Sequence, residues 1–295
     1  PAPAPAPAST GKSKEELHRE GEAAGIHNLA EVAPGILRGA QPEGDASFAL
    51  LAGLGVRTIL SVDGAAPDVE GAARHGIRTV HIPTEYSGVT RDQQVRIAKV
   101  AQVAAEDGGL FVHCHHGKHR GPAASGVAWM ARDGVPGEAA VADMKAAGTD
   151  PNYRGLYRDV LGFRPVTAEE LARVTDADLP PVARVPDLVG SMVDLDRTFE
   201  RMKAVKAAGW RTPAGMPDVQ PSHEARILAE RFRELLRLED AKVKAEDFRG
   251  WAAGSEKAAW ELEAALEAGD GKAAAAALET VSVSCKDCHS KYRNN

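Results

Sequence analysis

Two short runs in this 295-residue chain carry residue types and spacings that can do chemistry. The first is His113-Cys114-His115-His116-Gly117-Lys118-His119-Arg120-Gly121-Pro122, in which five residues separate a cysteine from an arginine. A thiol ionises near pH 8.5 in isolation, and a helix N-terminus with cationic neighbours favours the nucleophilic thiolate. The apolar run Leu110-Phe111-Val112 precedes the motif, and a helical stretch over about 121–132 follows it. Strand, tight loop and helix form the setting in which backbone N–H groups converge on an anion. Gly117 lets the loop curl close to a phosphate, and Pro122 suits a first helical turn. Cys114 is the candidate nucleophile toward phosphorus, and Arg120 the bidentate clamp on the phosphate oxygens. His115, His116, Gly117, Lys118, His119 and Gly121 are the remaining candidate phosphate-binding positions. Their basic side chains point to a polyanionic substrate, a small molecule such as an inositol polyphosphate or a phosphoprotein.

The second run is Cys285-Lys286-Asp287-Cys288-His289, the C-x-x-C-H pattern of c-type haem attachment. On a helix, positions i, i+3 and i+4 share a face, so two thiols and an imidazole can meet one flat macrocycle. Cys285 and Cys288 are the candidate thioether positions for one covalent haem c, and His289 is the candidate axial ligand to its iron. A zinc site would need further Cys or His ligands, and beyond residue 185 only His223 joins His289. A thioredoxin-like dithiol would open a helix after a strand, not end the chain.

These motifs need elements to position them. Gly55-Val56-Arg57-Thr58 leads into Ile59, Leu60 and Val62, and Gly76-Ile77-Arg78-Thr79 leads into Val80 and Ile82. Helical stretches over about 45–54, 67–75 and 90–106 separate these β-branched runs from each other and from the run at 110–112. The alternation predicts an α/β fold with a mainly parallel central sheet flanked by helices. Past about residue 165 strand signals stop, and Pro180-Pro181 to Pro186 marks a boundary. Apolar stripes then recur at helical spacing around Leu188–Met202, Ile227–Leu236, Phe248–Leu266 and Leu278–Cys288, predicting an all-α four-helix bundle. The expected organisation is a Pro/Ala-rich spacer over 1–25, the α/β domain over 26–165, a linker over 166–184 and the bundle over 185–295.

The net charge of −6 gives no general reason to expect nucleic acid, and no stretch approaches the ~20 apolar residues of a membrane span. Residues 1–8 alternate Pro and Ala and lack the charged and apolar regions of a signal peptide. The expectation is a mature N-terminus left after a signal was removed. Three cysteines are no disulfide framework.

Over about residues 185–295 the chain resembles class II cytochromes c, the cytochrome c-prime and c-556 group, on the tail Cys285-Lys-Asp-Cys-His-Ser-Lys-Tyr-Arg293. That resemblance implies an extracytoplasmic, periplasmic location and a homodimer formed through the first two helices of the bundle. It also implies that the first helix offers the iron a methionine or an apolar residue. Met192 is the best match to the methionine, with Met202 second. Over about 30–165 the chain resembles the dual-specificity class of protein tyrosine phosphatases, nearest to the plant-and-fungal-type atypical enzymes and small bacterial relatives. The loop Cys114 to Arg120, the segment Leu37-Arg-Gly-Ala-Gln-Pro42 and the strand ending His81-Ile-Pro83 carry this likeness. It implies the same roles for Cys114 and Arg120. The family has Ser or Thr after the arginine, where this chain has Gly121, and an Asp general acid about thirty residues before the cysteine. Here no Asp lies between Asp63 and Asp92, and Glu85 is the candidate acid, with Asp92 behind it.

Three readings of the whole follow. One is a phosphatase whose haem domain senses redox state or a diatomic gas, or exchanges electrons with a redox partner. Another is an electron-transfer cytochrome with a non-catalytic phosphoanion-binding domain. The third uses Cys114 as a persulfide carrier.

Overall fold

Short β-branched runs alternating with amphipathic helices give the first half of the chain its architecture. The computed structural model describes residues 9–292 except 65, 152 and 184–187. The Pro-Ala tract, Pro186 and Arg293 therefore lie outside the described residues. The chain divides into two units, Pro1–Ala183 and Arg184–Asn295.

In the first unit, strands β1 (Ala30–Ala33), β2 (Ile36–Ala40), β3 (Val56–Ser61), β4 (Arg78–His81) and β5 (Gly109–Cys114) form one sheet in the order β1-β2-β5-β3-β4. The β1–β2 pair is an antiparallel hairpin, and every other pairing is parallel. Helices α1 (Lys14–Ala24), α2 (Gly44–Gly53) and α3 (Val69–Arg74) cover one face. Ile26, Phe48, Leu51 and Ala72 pack there against Leu37, Ile59 and Phe111 of the strands. Helices α4 (Arg91–Asp107) and α5 (Arg120–Asp133) pack on the sheet and on each other. Outside them lie α6 (Gly137–Ala146), α7 (Arg154–Leu161) and α8 (Ala168–Arg173). The central strands are buried on both faces, which is why β5 reads as a continuous apolar run.

Two boundaries differ from expectation. Residues 9–25 are not all spacer. Ser13 caps α1 reciprocally with Glu16, and Leu17 is buried in the fold. Residues 166–183 are not a free linker but part of the first unit. Arg91 grips Glu170 of α8 and the carbonyls of Arg164 and Pro165, Leu179 is buried, and His81 N–H donates to the Pro180 carbonyl. The strap covers the free edge of β4, a requirement that pattern-reading of the strap itself does not reveal.

The second unit is built on α9 (Leu188–Ala207), α10 (Pro221–Arg237), α12 (Glu246–Glu267) and α13 (Gly271–Tyr292), with a short α11 (Glu239–Lys242) between the middle pair. Met202, Val205, Leu228, Leu262 and Val281 lie in its core. Arg226, almost wholly buried, pairs with Glu263 to join α10 and α12. No helix among the described residues is long and apolar enough to cross a membrane.

Leu17→Ala tests whether α1 belongs to the fold. It is expected to destabilise the protein by about 2–5 kcal/mol in urea unfolding, as for a buried leucine, whereas a spacer residue would leave the midpoint unchanged.

Candidate functional site

Parallel strands end on the same edge of the sheet, so the residues that close β2, β3, β4 and β5 become neighbours. Ala40 lies opposite Cys114, and Ser61 lies opposite both His113 and His81. Cys114 ends β5 almost fully buried, with a free thiol. The chain then makes a five-residue loop and enters α5 at Arg120. The N-cap residue His119 makes no side-chain capping bond to the first turn of α5, and a helix N-terminus is the end at which backbone N–H groups favour an anion.

Three carbonyls of the loop are held from outside it. Gln41 N–H donates to His115 O at 3.1 Å, the Asn28 side chain to His116 O at 2.9 Å, and the Thr149 hydroxyl to Lys118 O at 2.6 Å. Gly117 sits at φ +66°, and a Cβ there would lie 2.3 Å from the carbonyl carbon of Gly39. Both the left-handed conformation and the close approach to β2 require glycine.

Arg120 is buried, and its Nη2 donates to Asp63 Oδ1 at 3.2 Å. The Tyr86 ring lies over the guanidinium at 4.4 Å, a cation–π contact. Tyr86 in turn packs on Tyr153 at 4.8 Å, and Tyr153 on His119 at 5.0 Å. His119 is itself buried, and its Nδ1 accepts from Asp150 N–H at 3.3 Å. It therefore serves as a packed pivot at the helix entrance rather than as an open cation. His115 and His116 are half-buried with rings 4.5 Å apart, and Lys118 is exposed.

Glu85 is exposed on the loop between β4 and α4, and the next residue, Tyr86, is the one that covers Arg120. Asp159 fixes that loop from α7 by accepting from Val89 N–H at 2.9 Å. Asp92 lies instead in the first turn of α4, paired with Arg96 at 3.1 Å. At Gly121 a Cβ would stand 3.2 Å from the Cys114 backbone nitrogen and 3.4 Å from Cys114 Sγ, so the start of α5 packs closely on the cysteine and offers it no hydroxyl.

In the second unit, Met192, Cys285, Cys288 and His289 line one open cleft. Val281, Cys285, Cys288 and Tyr292 follow one helical face of α13, which turns both thiols inward. Leu195, Phe199, Leu228, Phe232, Phe248 and Trp251 supply much of the wall. Met202 is buried in the core and does not line the cleft. Burial pushes the Cys285 thiol up to about 11, with Cys288 and Asp196 adding to it, and burial likewise raises Cys288. The end of α13 is tied to the start of α12 by Asp247, which accepts from the Tyr292 hydroxyl at 2.6 Å and pairs with Lys291. Among the described residues, Cys285 and Cys288 join no cluster of three ligand atoms close enough to hold a bare metal ion. An apolar slot with two unbridged thiols and an imidazole on one helix face fits a haem better than zinc.

Asp63, Tyr86, Tyr153 and Asp150 were not singled out as site residues by sequence reasoning. They lie far from the motif in the chain and meet it only through the fold. The one signal for Asp63 was its place just after a predicted strand in a parallel sheet, where strand ends converge.

Residues 242–293 match the family model for Cytochrome C', a span covering α12 and α13 and leaving Met192 outside. No curated protein matches the chain. Solved structures similar to it include P. aeruginosa TpbA, at 23% identity and a TM-score of 0.42 over 55% of this chain and 92% of that one. A DUF442 phosphatase structure from Shewanella putrefaciens CN-32 is similar at 19% identity and 0.39, over 49% and 96%. Human DUSP28 is similar at 18% identity and 0.36, over 46% and 93%.

His113, fully buried beside Cys114, is pushed down to about 4 by burial, with the nearby Asp63 charge opposing and His81 reinforcing the shift. The unfolded chain therefore takes up this proton first as the pH falls. The contribution is fully present above about pH 6.5, is lost between about 6.5 and 4, and amounts to about 3 kcal/mol. Amide exchange of β5 across that window is expected to register the loss, and His113→Gln to remove this component of it. An unchanged pH dependence in the variant would contradict the assignment.

Proposed function

We propose that the first unit is a cysteine-dependent phosphatase acting on phosphomonoesters and that the second carries a covalent c-type haem. The observation that carries the first part is the pairing of a buried Cys114 at the end of β5 with an Arg120 that opens α5 and is already fixed by Asp63 and Tyr86. Loop and helix N–H groups and the guanidinium hold the phosphoryl oxygens. The Cys114 thiolate attacks phosphorus, an S–P bond forms and the ester P–O bond breaks. Glu85 gives its proton to the leaving oxygen. Water then attacks phosphorus, its proton returns to the Glu85 carboxylate, the S–P bond breaks and the thiolate is regenerated with inorganic phosphate. Arg120 stabilises the equatorial charge in both steps. With Gly121 beside the sulfur, no hydroxyl from that position stabilises the leaving thiolate, so the second step is the slower one. A phosphorylated small polyanion or a phosphoprotein is the substrate class.

In the second unit, Cys285 and Cys288 would hold the haem through thioethers, and His289 and Met192 are the candidate ligands to its iron. Such a group supplies a one-electron redox centre. The cleft walls around it are largely apolar, and Asp247 fixes the helix end that carries the exposed His289. A periplasmic location accords with this kind of attachment, and a redox partner and a homodimer are part of the proposal. The second reading, an electron-transfer protein with an inert phosphoanion-binding domain, is favoured by Gly121, which offers no hydroxyl beside the Cys114 sulfur.

The test is hydrolysis of an aryl phosphate by the full chain, read with the haem spectrum of the same sample after denaturation. Wild type is expected to turn over and to retain haem on the denatured chain. Cys114→Ser is expected to lose at least about 10³-fold in rate while still binding phosphate. Replacing Cys285 and Cys288 with Ala is expected to release the haem on denaturation. Phosphate binding without turnover in the wild type would favour the second reading.

A further inference from the structure

The strap at the end of the first unit reaches the phosphate clamp through a chain of hydrogen bonds, and every link has a fixed direction. Ala183 N–H donates to His81 Nδ1 at 3.1 Å. A backbone N–H can only donate, so Nδ1 is the acceptor and the proton of the neutral ring sits on Nε2. That Nε2–H faces the Asp63 carbonyl oxygen at 2.9 Å. The Asp63 carboxylate accepts from Gly64 N–H at 2.7 Å and from Arg120 Nη2 at 3.2 Å. His81, Asp63 and Arg120 are all at most 2% exposed, so none of these groups can exchange its partner for bulk water.

The strap has its own anchors. His81 N–H donates to Pro180 O at 2.9 Å, Leu179 is buried, and Arg96 holds the Asp178 carbonyl at 3.1 Å. Residue 183 is also where the first unit ends and the chain continues into the second.

We infer that Asp63 and His81 are positioning residues for the phosphate clamp, and that docking of the 179–183 strap on His81 sets the orientation of Arg120 and hence oxyanion affinity. The inference rests on the phosphate-binding reading of the loop and adds a point of control to it. With the strap undocked, His81 Nδ1 loses its donor in a buried place. The ring then has reason to turn or change tautomer, and the Asp63 carbonyl loses the contact that holds the turn after β3. Asp63 carries that displacement directly to the guanidinium.

The experiment uses the full chain with inorganic phosphate, its dissociation constant measured by calorimetry, alongside kcat and KM for an aryl phosphate and a thermal melt. Ala183→Pro removes the N–H donor, and Ala183→Gly retains it. His81→Leu removes both ring contacts, and His81→Gln can both accept and donate. Ala183→Pro and His81→Leu are each expected to weaken phosphate binding about tenfold, with Ala183→Gly near wild type and His81→Gln partly restored. The double variant Ala183→Pro/His81→Leu is expected to be no weaker than His81→Leu alone, because both act through one network. Wild-type affinity in both Ala183→Pro and His81→Leu would overturn the inference. So would losses that multiply in the double variant, or that follow the melting temperature rather than the side chain's hydrogen-bonding capacity. Should Ala183→Pro fail to fold, the His81→Leu and His81→Gln pair decides: equal losses in both sink the inference, and recovery in Gln supports it. Absence of hydrolysis in the wild type would count against the phosphatase proposal alone, since phosphate affinity is read separately.

Discussion

A guanidinium taken out of water must be matched by a negative charge, and in the first unit that match is between Arg120 and Asp63. Both are almost wholly buried, 3.2 Å apart. Breaking such a pair by removing one partner generally costs about 3–5 kcal/mol, because the remaining charge is stranded. The pair therefore constrains the turn after β3, the entry into α5 and the loop between Cys114 and Arg120 at once. Tyr86 closes the other side of the guanidinium, and through Tyr153 and His119 it joins the loop that bears Glu85 to the helix entrance. A guanidinium held in this way would be in position before an anion arrives, which is the condition for electrostatic stabilisation without reorganisation.

The parallel sheet makes this convergence possible. Asp63, His81 and Cys114 are separated widely in sequence, yet each closes or follows a strand that runs the same way. The second unit solves its own positioning problem within single elements. One face of α13 carries both thiols, and the tether from Asp247 to Tyr292 and Lys291 fixes the turn beside them.

This division explains what could be read from sequence. Cys114 and Arg120 sit at the two ends of one short loop, and Cys285, Cys288 and His289 on one turn and a half of helix, so local spacing alone carried their relation. The alternation of strands and helices gave the sheet its parallel character, and helical stripes gave the bundle. Met192 and Met202 share a stripe, and only the packing separates a cleft-lining side chain from a core one. Asp63 and Tyr86 meet Arg120 across the sheet edge, which no local pattern encodes. His119 reads as a cation in a basic run, but the aromatic residues that bury it come from two other loops. Residues 9–25 and 166–183 lack long periodic patterns and are held by particular anchors, Leu17 and Ser13 in one case and Arg91 and His81 in the other.

The most direct measurement is mass spectrometry of the full chain after rapid acid quench during turnover of an aryl phosphate, with fragmentation to locate any phosphoryl group. The account predicts a phosphoryl adduct on Cys114 that accumulates because Gly121 leaves the thiolate leaving group without a hydroxyl beside it, and that diminishes in Gly121→Ser. Turnover with no adduct on Cys114, or with the phosphoryl group on another residue, would contradict it.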